Sequence, residues 1–175
     1  MGNGVKALAI GLAVGSFGVV TGCGGDGTAT ATERLWISNV PTDPKIPMTA
    51  FLTMRSGDRF LGAFFQGSLL RGHHDVFHWT PGAKNKAEVE FLQDGRKVQL
   101  RLETCKPTRG FDHCLDVHGD PTGTVRYQSR KRWVVRRPGK KVAALGMVTE
   151  AMSELAEDDA ELAAVFEAAA EVTAP

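Results

Sequence analysis

The stretch Val98-Gln99-Leu100-Arg101-Leu102-Glu103 alternates apolar and polar residues without a break, and Val89 and Phe91 continue the alternation on the segment before it. Successive side chains of an extended strand point to opposite faces, so this pattern demands a sheet with one dry face and one wet face. Between the two segments stands Asp94-Gly95. That pair signals a two-residue hairpin, because both central positions of a type I′ turn need positive φ. A hairpin from Ala87 to Thr104 is the expectation, with one face packed on a core.

Much of the chain between Glu33 and Arg137 reads the same way. Leu35-Trp36-Ile37, Met48 to Met54, Arg59 to Leu70, His74 to Thr80, Cys114 to His118 and Thr124 to Val135 are rich in β-branched or aromatic residues. Turn signals separate them, among them Ser56-Gly57-Asp58, Pro81-Gly82 and Gly119-Asp120-Pro121. About eight short strands at regular spacing predict a mainly β fold, a small antiparallel barrel or sandwich. A lipocalin-like meander is its nearest analogy, one of fold and not of function. The aromatic residues either fill such a barrel or line a cavity in it, and both options stay open.

From Val142 the period changes. Val142, Leu145, Val148, Met152 and Leu155 recur at helical spacing, and Leu162, Val165, Phe166 and Ala169 repeat the pattern after Glu157-Asp158-Asp159. Asp158 followed by Glu161 has the spacing of a capping box and predicts a helix start there. The 175 residues carry a net charge of +1, with 42% hydrophobic and 23% charged residues. These values exclude a wholly disordered chain, a collagen-like fibre, a coiled-coil rod and a multi-span membrane protein. They also lack the basic excess of a dedicated nucleic-acid binder, so no nucleic-acid partner is expected.

The amino terminus reads as a targeting segment. Lys6 precedes an uncharged run from Ala7 to Val20, which at about 14 residues is shorter than the roughly 20 that span a bilayer. The run ends in Val20-Thr21-Gly22-Cys23, which resembles the lipobox of bacterial lipoproteins. The resemblance implies removal of residues 1–22, diacylglyceryl transfer to the Cys23 thiol and acylation, commonly with palmitate, of the new amino group. Gly24 stands where an inner-membrane retention signal would place Asp, which implies an outer-membrane anchor facing the periplasm or the cell surface. The Gly- and Thr-rich residues 23–32 read as a tether, 33–141 as the β domain and 142–175 as an acidic helical tail.

With Cys23 lipidated, Cys105 and Cys114 remain as an even pair in an exported chain. They are expected to form a disulfide across neighbouring strands. A catalytic pairing of Cys114 with His113 or His118 is the alternative. On strands, His74 shares a face with His78, and Asp116 with His118. If those strands met, the four would offer N and O ligands to Zn²⁺ or Cu²⁺. Otherwise they are solvated polar faces. No nucleophile elbow, phosphate loop or dinucleotide fingerprint is present, so no catalytic residue is nominated.

The charges segregate along the sequence. Arg126, Arg130, Lys131, Arg132, Arg136, Arg137, Lys140 and Lys141 come without an intervening acid, and only acids follow them. In an extended strand Arg126, Arg130, Arg132 and Arg136 form one stripe, suited to lipid phosphates, another anionic envelope ligand or an acidic partner protein. Alternatively, the acidic helices fold back and neutralise it. The expectation is a lipid-anchored envelope protein with a non-catalytic binding or assembly role; a periplasmic hydrolase or metal-dependent enzyme using the His and Asp clusters is the alternative. Cys23→Ala should release the protein from detergent-soluble membrane fractions to the periplasm, and unchanged partitioning would exclude the anchor.

Overall fold

The structure, a computed structural model, describes residues 27–56, 59–135 and 147–173. Cys23, the rest of the lipobox and Arg136 lie outside the described residues. A helical turn, α1 (Gly27–Thr30), leads into strands β1 (Arg34–Ile37), β2 (Met48–Ser56), β3 (Arg59–Ser68), β4 (Arg71–Pro81), β5 (Lys86–Phe91), β6 (Lys97–Thr104), β7 (His113–His118) and β8 (Arg126–Ser129). Each strand pairs antiparallel with the next, and β8 returns to β1 through the pair Ile37–Gln128. The fold is a closed eight-stranded barrel, and closure leaves no strand edge free.

The alternation read from Ala87 to Thr104 runs round the barrel. Trp36, Phe77, Val89, Phe91, Leu102, Val117 and Tyr127 form the inner core, with Phe51, Phe64 and Leu100 against it. Small and large residues alternate where the wall is crowded. A Cβ on Gly62 would come within 2.2 Å of the Phe77 ring that lies over it. The β5–β6 hairpin forms, but not with a two-residue turn. Glu90 pairs with Lys97, Phe91 N–H donates to the Arg96 carbonyl, and Leu92–Gly95 bridge them. Gly95 has positive φ, 69°, whereas Asp94 does not; Asp94 instead accepts the Arg96 N–H at 2.9 Å. The side-chain bond supplies what a second left-handed residue would have supplied.

A second core lies outside the barrel. Leu35, Ile37, Met48, Ala50, Leu52, Met54, Ala63 and Phe65 face outward from β1–β3 and pack against Val148, Ala151, Met152 and Leu162. These belong to α2 (Met147–Ala156) and α3 (Ala160–Thr173). β2 is therefore covered on both faces, which is why its sequence lacks the polar alternation of β6. On β5, β6 and β7 the outer face carries Glu88, Glu90, Lys97, Arg101, Glu103 and Asp116, so this side of the barrel meets water. Among the described residues no helix is long and apolar enough to cross a membrane.

The residues read as a tether do not all hang free. Ala31 is buried at one end of the barrel, where its carbonyl accepts from Thr53 Oγ1 at 2.7 Å and from Trp36 Nε1 at 3.3 Å. Gly27 rests on β6, where a Cβ would lie 2.3 Å from the Leu102 carbonyl oxygen. A segment of Gly, Ala and Thr is small enough to seat on strand backbones at a barrel end, a fit that composition does not announce.

α3 is capped one residue later than the capping-box spacing suggests. Asp159, not Asp158, precedes the helix, and its carbonyl accepts the Ala163 N–H at 2.9 Å. Its carboxylate, fully buried, accepts from Arg130 at 2.6 and 2.7 Å, from Trp133 Nε1 at 2.8 Å and from Arg132 at 3.0 Å. Burial alone would raise the carboxyl pKa, but hydrogen bonds from Trp133 and Arg130 and the Arg130 charge hold it below its ordinary 3.8. A lowered carboxyl pKa adds stability that is complete above the unfolded value and lost as pH falls through the folded one. Asp159→Ala should cost about 3–5 kcal/mol in urea unfolding, because it removes the buried partner of Arg130 and leaves the buried Trp133 Nε1 without its acceptor. The same variant should flatten the loss of stability below pH 3.8; an unchanged urea midpoint and acid profile would refute both.

Candidate ligand cavity

The barrel is hollow. A cavity of about 180 Å³ runs along its axis, lined by Phe51, Phe64, Phe77, Trp79, Phe91 and Tyr127 with Val89, Leu100, Leu102 and Val117 between them. Strand alternation places these apolar side chains, since each occupies an inward register position. Ala31 forms part of the wall at the end where α1 sits. Polar residues gather at the other end: Gln66 on β3, His73 and Asp75 on β4, Arg96 after the β5–β6 turn, and Asp120 and Thr122 between β7 and β8. Gln66, His73 and Arg96 are exposed, so this end is the mouth. The arrangement is a cup with an aromatic interior and a polar rim, the usual chemistry of a small-molecule site.

Two features organise the mouth. Arg96 lays its guanidinium over the Phe91 ring, 4.6 Å from the centroid, and its ion-pair partner is exposed Asp94 at 3.6 Å. Across the mouth, Tyr127 donates to Asp120 Oδ2 at 2.5 Å, while Asp120 Oδ1 accepts from Thr122 N–H and Oγ1 at 2.8 and 2.7 Å. Thr124 Oγ1 links this set to Thr49 Oγ1 at 2.9 Å. Burial, reinforced by the Asp120 charge and hydrogen bond, pushes the Tyr127 hydroxyl pKa well above its ordinary 10.0. The phenol is thus a fixed donor that orders the β7–β8 loop.

The sequence candidates fall in three places. Cys105 and Cys114 are bonded, with Cα atoms 4.9 Å apart and the Cys105 N–H donating to the Cys114 carbonyl. The bond excludes Cys114 as a thiol nucleophile, and closing so short a loop stabilises by roughly 2–3 kcal/mol. The four proposed metal ligands do not meet. His74 and His78 face outward on β4, and Asp116 and His118 outward on β7. β5 and β6 intervene, three inter-strand steps or about 14 Å along the wall. Shared parity placed each pair on one face, but strand order keeps the pairs apart. Among the described residues the one group with His, Cys, Asp or Glu ligand atoms in mutual reach is Cys105, Cys114 and Asp116. Its cysteines, bonded to each other, offer no thiolate.

The arginine stripe is likewise interrupted. β8 ends at Ser129, and a turn at Lys131 and Arg132 breaks the extended geometry the stripe requires. Arg130 is bound by Asp159 and Glu161, Arg132 by Asp159, and Arg126 by Asp116 at 2.8 Å. Asp159 and Glu161 fold back on the basic segment and occupy the largely buried Arg130, while Arg132, also paired with Asp159, stays exposed. Gln66, Arg96 and Thr122 carry no sequence signal that marks them as site residues. For His73 and Asp75 the signal was present, because they share the parity of Phe77 and Trp79.

No protein-family model, curated protein or solved structure matches the chain. The cavity must therefore be read from its own chemistry. Tyr127 is the one tyrosine of the chain, so its titration is directly visible. A raised phenol pKa adds stability below the unfolded value that fades as pH climbs above it. Absorbance at 295 nm should stay flat in the folded protein beyond pH 10.0 and rise only with unfolding. Tyr127→Phe should lower stability by about 1.5–3 kcal/mol, the range of a hydrogen bond to a charged group. Ordinary titration with the fold intact would contradict this account.

Proposed function

We propose that the protein is a lipid-anchored envelope protein with a non-catalytic binding role, whose ligand is a compact and largely apolar molecule held inside the barrel. The observation that carries this reading is the aromatic cavity of about 180 Å³ beneath a polar mouth. A cavity of about 150 Å³ accommodates benzene, so the ligand is of the order of one ring with a short substituent. The space is too small for a diacyl lipid or a haem. Dispersal of His74, His78, Asp116 and His118 over the outer wall favours binding over the hydrolase or metalloenzyme alternative.

The anchor adds an orientation. Gly27 sits at the closed end of the barrel. Four residue steps from a lipidated Cys23 reach at most about 14 Å. The closed end then faces the anchoring membrane and the mouth faces away from it, toward ligands arriving from the aqueous side.

Toluene, a neutral ring of suitable size, should raise the melting temperature of the mature protein and quench or shift the fluorescence of Trp79. Leu100→Trp, which fills the cavity from β6, should abolish both effects while the circular dichroism is kept. A wild-type protein that responds to no ring-sized molecule would overturn the reading.

A further inference from the structure

We infer that the cavity is a site for a small protonated amine, with the nitrogen held by the Asp75 carboxylate and the apolar body by the aromatic rings around it; this rests on the binding reading above. Asp75 lies at an inward position of β4, directly opposite Phe64 in register and two residues from His73 and Phe77. It lines the cavity and is 8% exposed. A carboxylate has room for about four hydrogen bonds on its two oxygens. Asp75 receives one, from the Val76 N–H to Oδ1 at 2.9 Å. Among the described residues no other donor or cation lies within bonding distance of it.

The neighbouring charges are differently placed. Asp120, the other acid of the lining, is already bonded to Tyr127 and Thr122. Arg96 lines the cavity too, but it is stacked on Phe91 and paired with Asp94 on the solvent side. Asp75 is thus the lining acid that lacks a side-chain donor, and its two oxygens keep bonding capacity that a ligand can use. An ammonium group brings three donors and the opposite charge. The faces of Phe64, Phe77 and Phe91, which line the same space, attract a cation as well as an apolar body. The volume then limits the ligand to a single ring, or an equivalent aliphatic body, on a short chain.

The test compares four probes of similar size on the mature protein by calorimetry and tryptophan fluorescence: phenethylamine, phenethyl alcohol, phenylacetate and toluene. Phenethylamine should bind roughly 10- to 100-fold more tightly than the alcohol, as expected for hydrogen bonds to a charged group. Phenylacetate should bind more weakly than either. Asp75→Asn should erase the preference for amine over alcohol and leave toluene binding in place. Should that variant fail to fold, the amine-to-alcohol ratio on the wild type decides alone. Equal affinity for amine and alcohol, unchanged amine affinity in Asp75→Asn, or a phenylacetate preference that depends on Arg96 would each overturn the inference. Toluene binding without amine preference defeats this inference alone; no binding by any probe defeats the cavity reading itself.

Discussion

The carboxylate of Asp159 joins two things that a β meander cannot join by itself, the seam of the barrel and the helical layer outside it. Regular pairing between β8 and β1 is short, marked by Ile37–Gln128. The chain then turns through Arg130 to Arg132 and rejoins β1, with Leu35 N–H donating to the Trp133 carbonyl and Arg34 bridged to Val134. The three residues that grip Asp159 are Arg130, Arg132 and Trp133, all on that detour. Arg34 on β1 reinforces it by donating to the Arg130 carbonyl at 2.7 Å. One buried acid therefore caps α3, fixes the detour and sets α2 and α3 on the outward face of β1–β3.

That arrangement lets the barrel interior share the packing with an outer core. The outer core of Leu35, Ile37, Leu52, Phe65, Met152 and Leu162 provides dense packing on one side of the wall. The interior can then hold a cavity without leaving the sheet unsupported, since hydrophobic burial on the other face still stabilises β1–β3. At the closed end, Gly27 and Ala31 seal the floor by backbone contact. At the mouth, the Tyr127–Asp120 bond and the stacked Arg96 hold the loops in fixed positions. Asp120, Thr122 and Arg96 are thus held by other protein groups, whereas Asp75 receives only the Val76 N–H.

Much of the architecture was legible in local pattern. The alternation of Val98, Leu100 and Leu102 against Gln99, Arg101 and Glu103 identified the inner and outer faces of β6, and the even cysteine pair identified the disulfide. Errors arose where two local solutions differ by a single residue or a single bond. Asp158 and Asp159 are equally good caps by composition, and only the position of Arg130 and Trp133 selects the second. Asp94-Gly95 suits a two-residue turn, yet an Asp94 side-chain bond stabilises a longer one.

What the sequence determined by itself was whatever depends on neighbours two to four residues apart: strand faces, helical stripes, turns and the lipobox resemblance at Val20–Cys23. It placed His74 with His78 and Asp116 with His118, but it did not say which strands lie side by side. Tertiary structure decided that β4 and β7 stand three steps apart, so the outward histidines never converge. It also decided that inward residues of β2 to β8 share one cavity. The physical reason is that parity is a property of a single strand, whereas convergence is a property of the closed sheet. An acid on an inward face becomes a site only when the barrel around it supplies no partner.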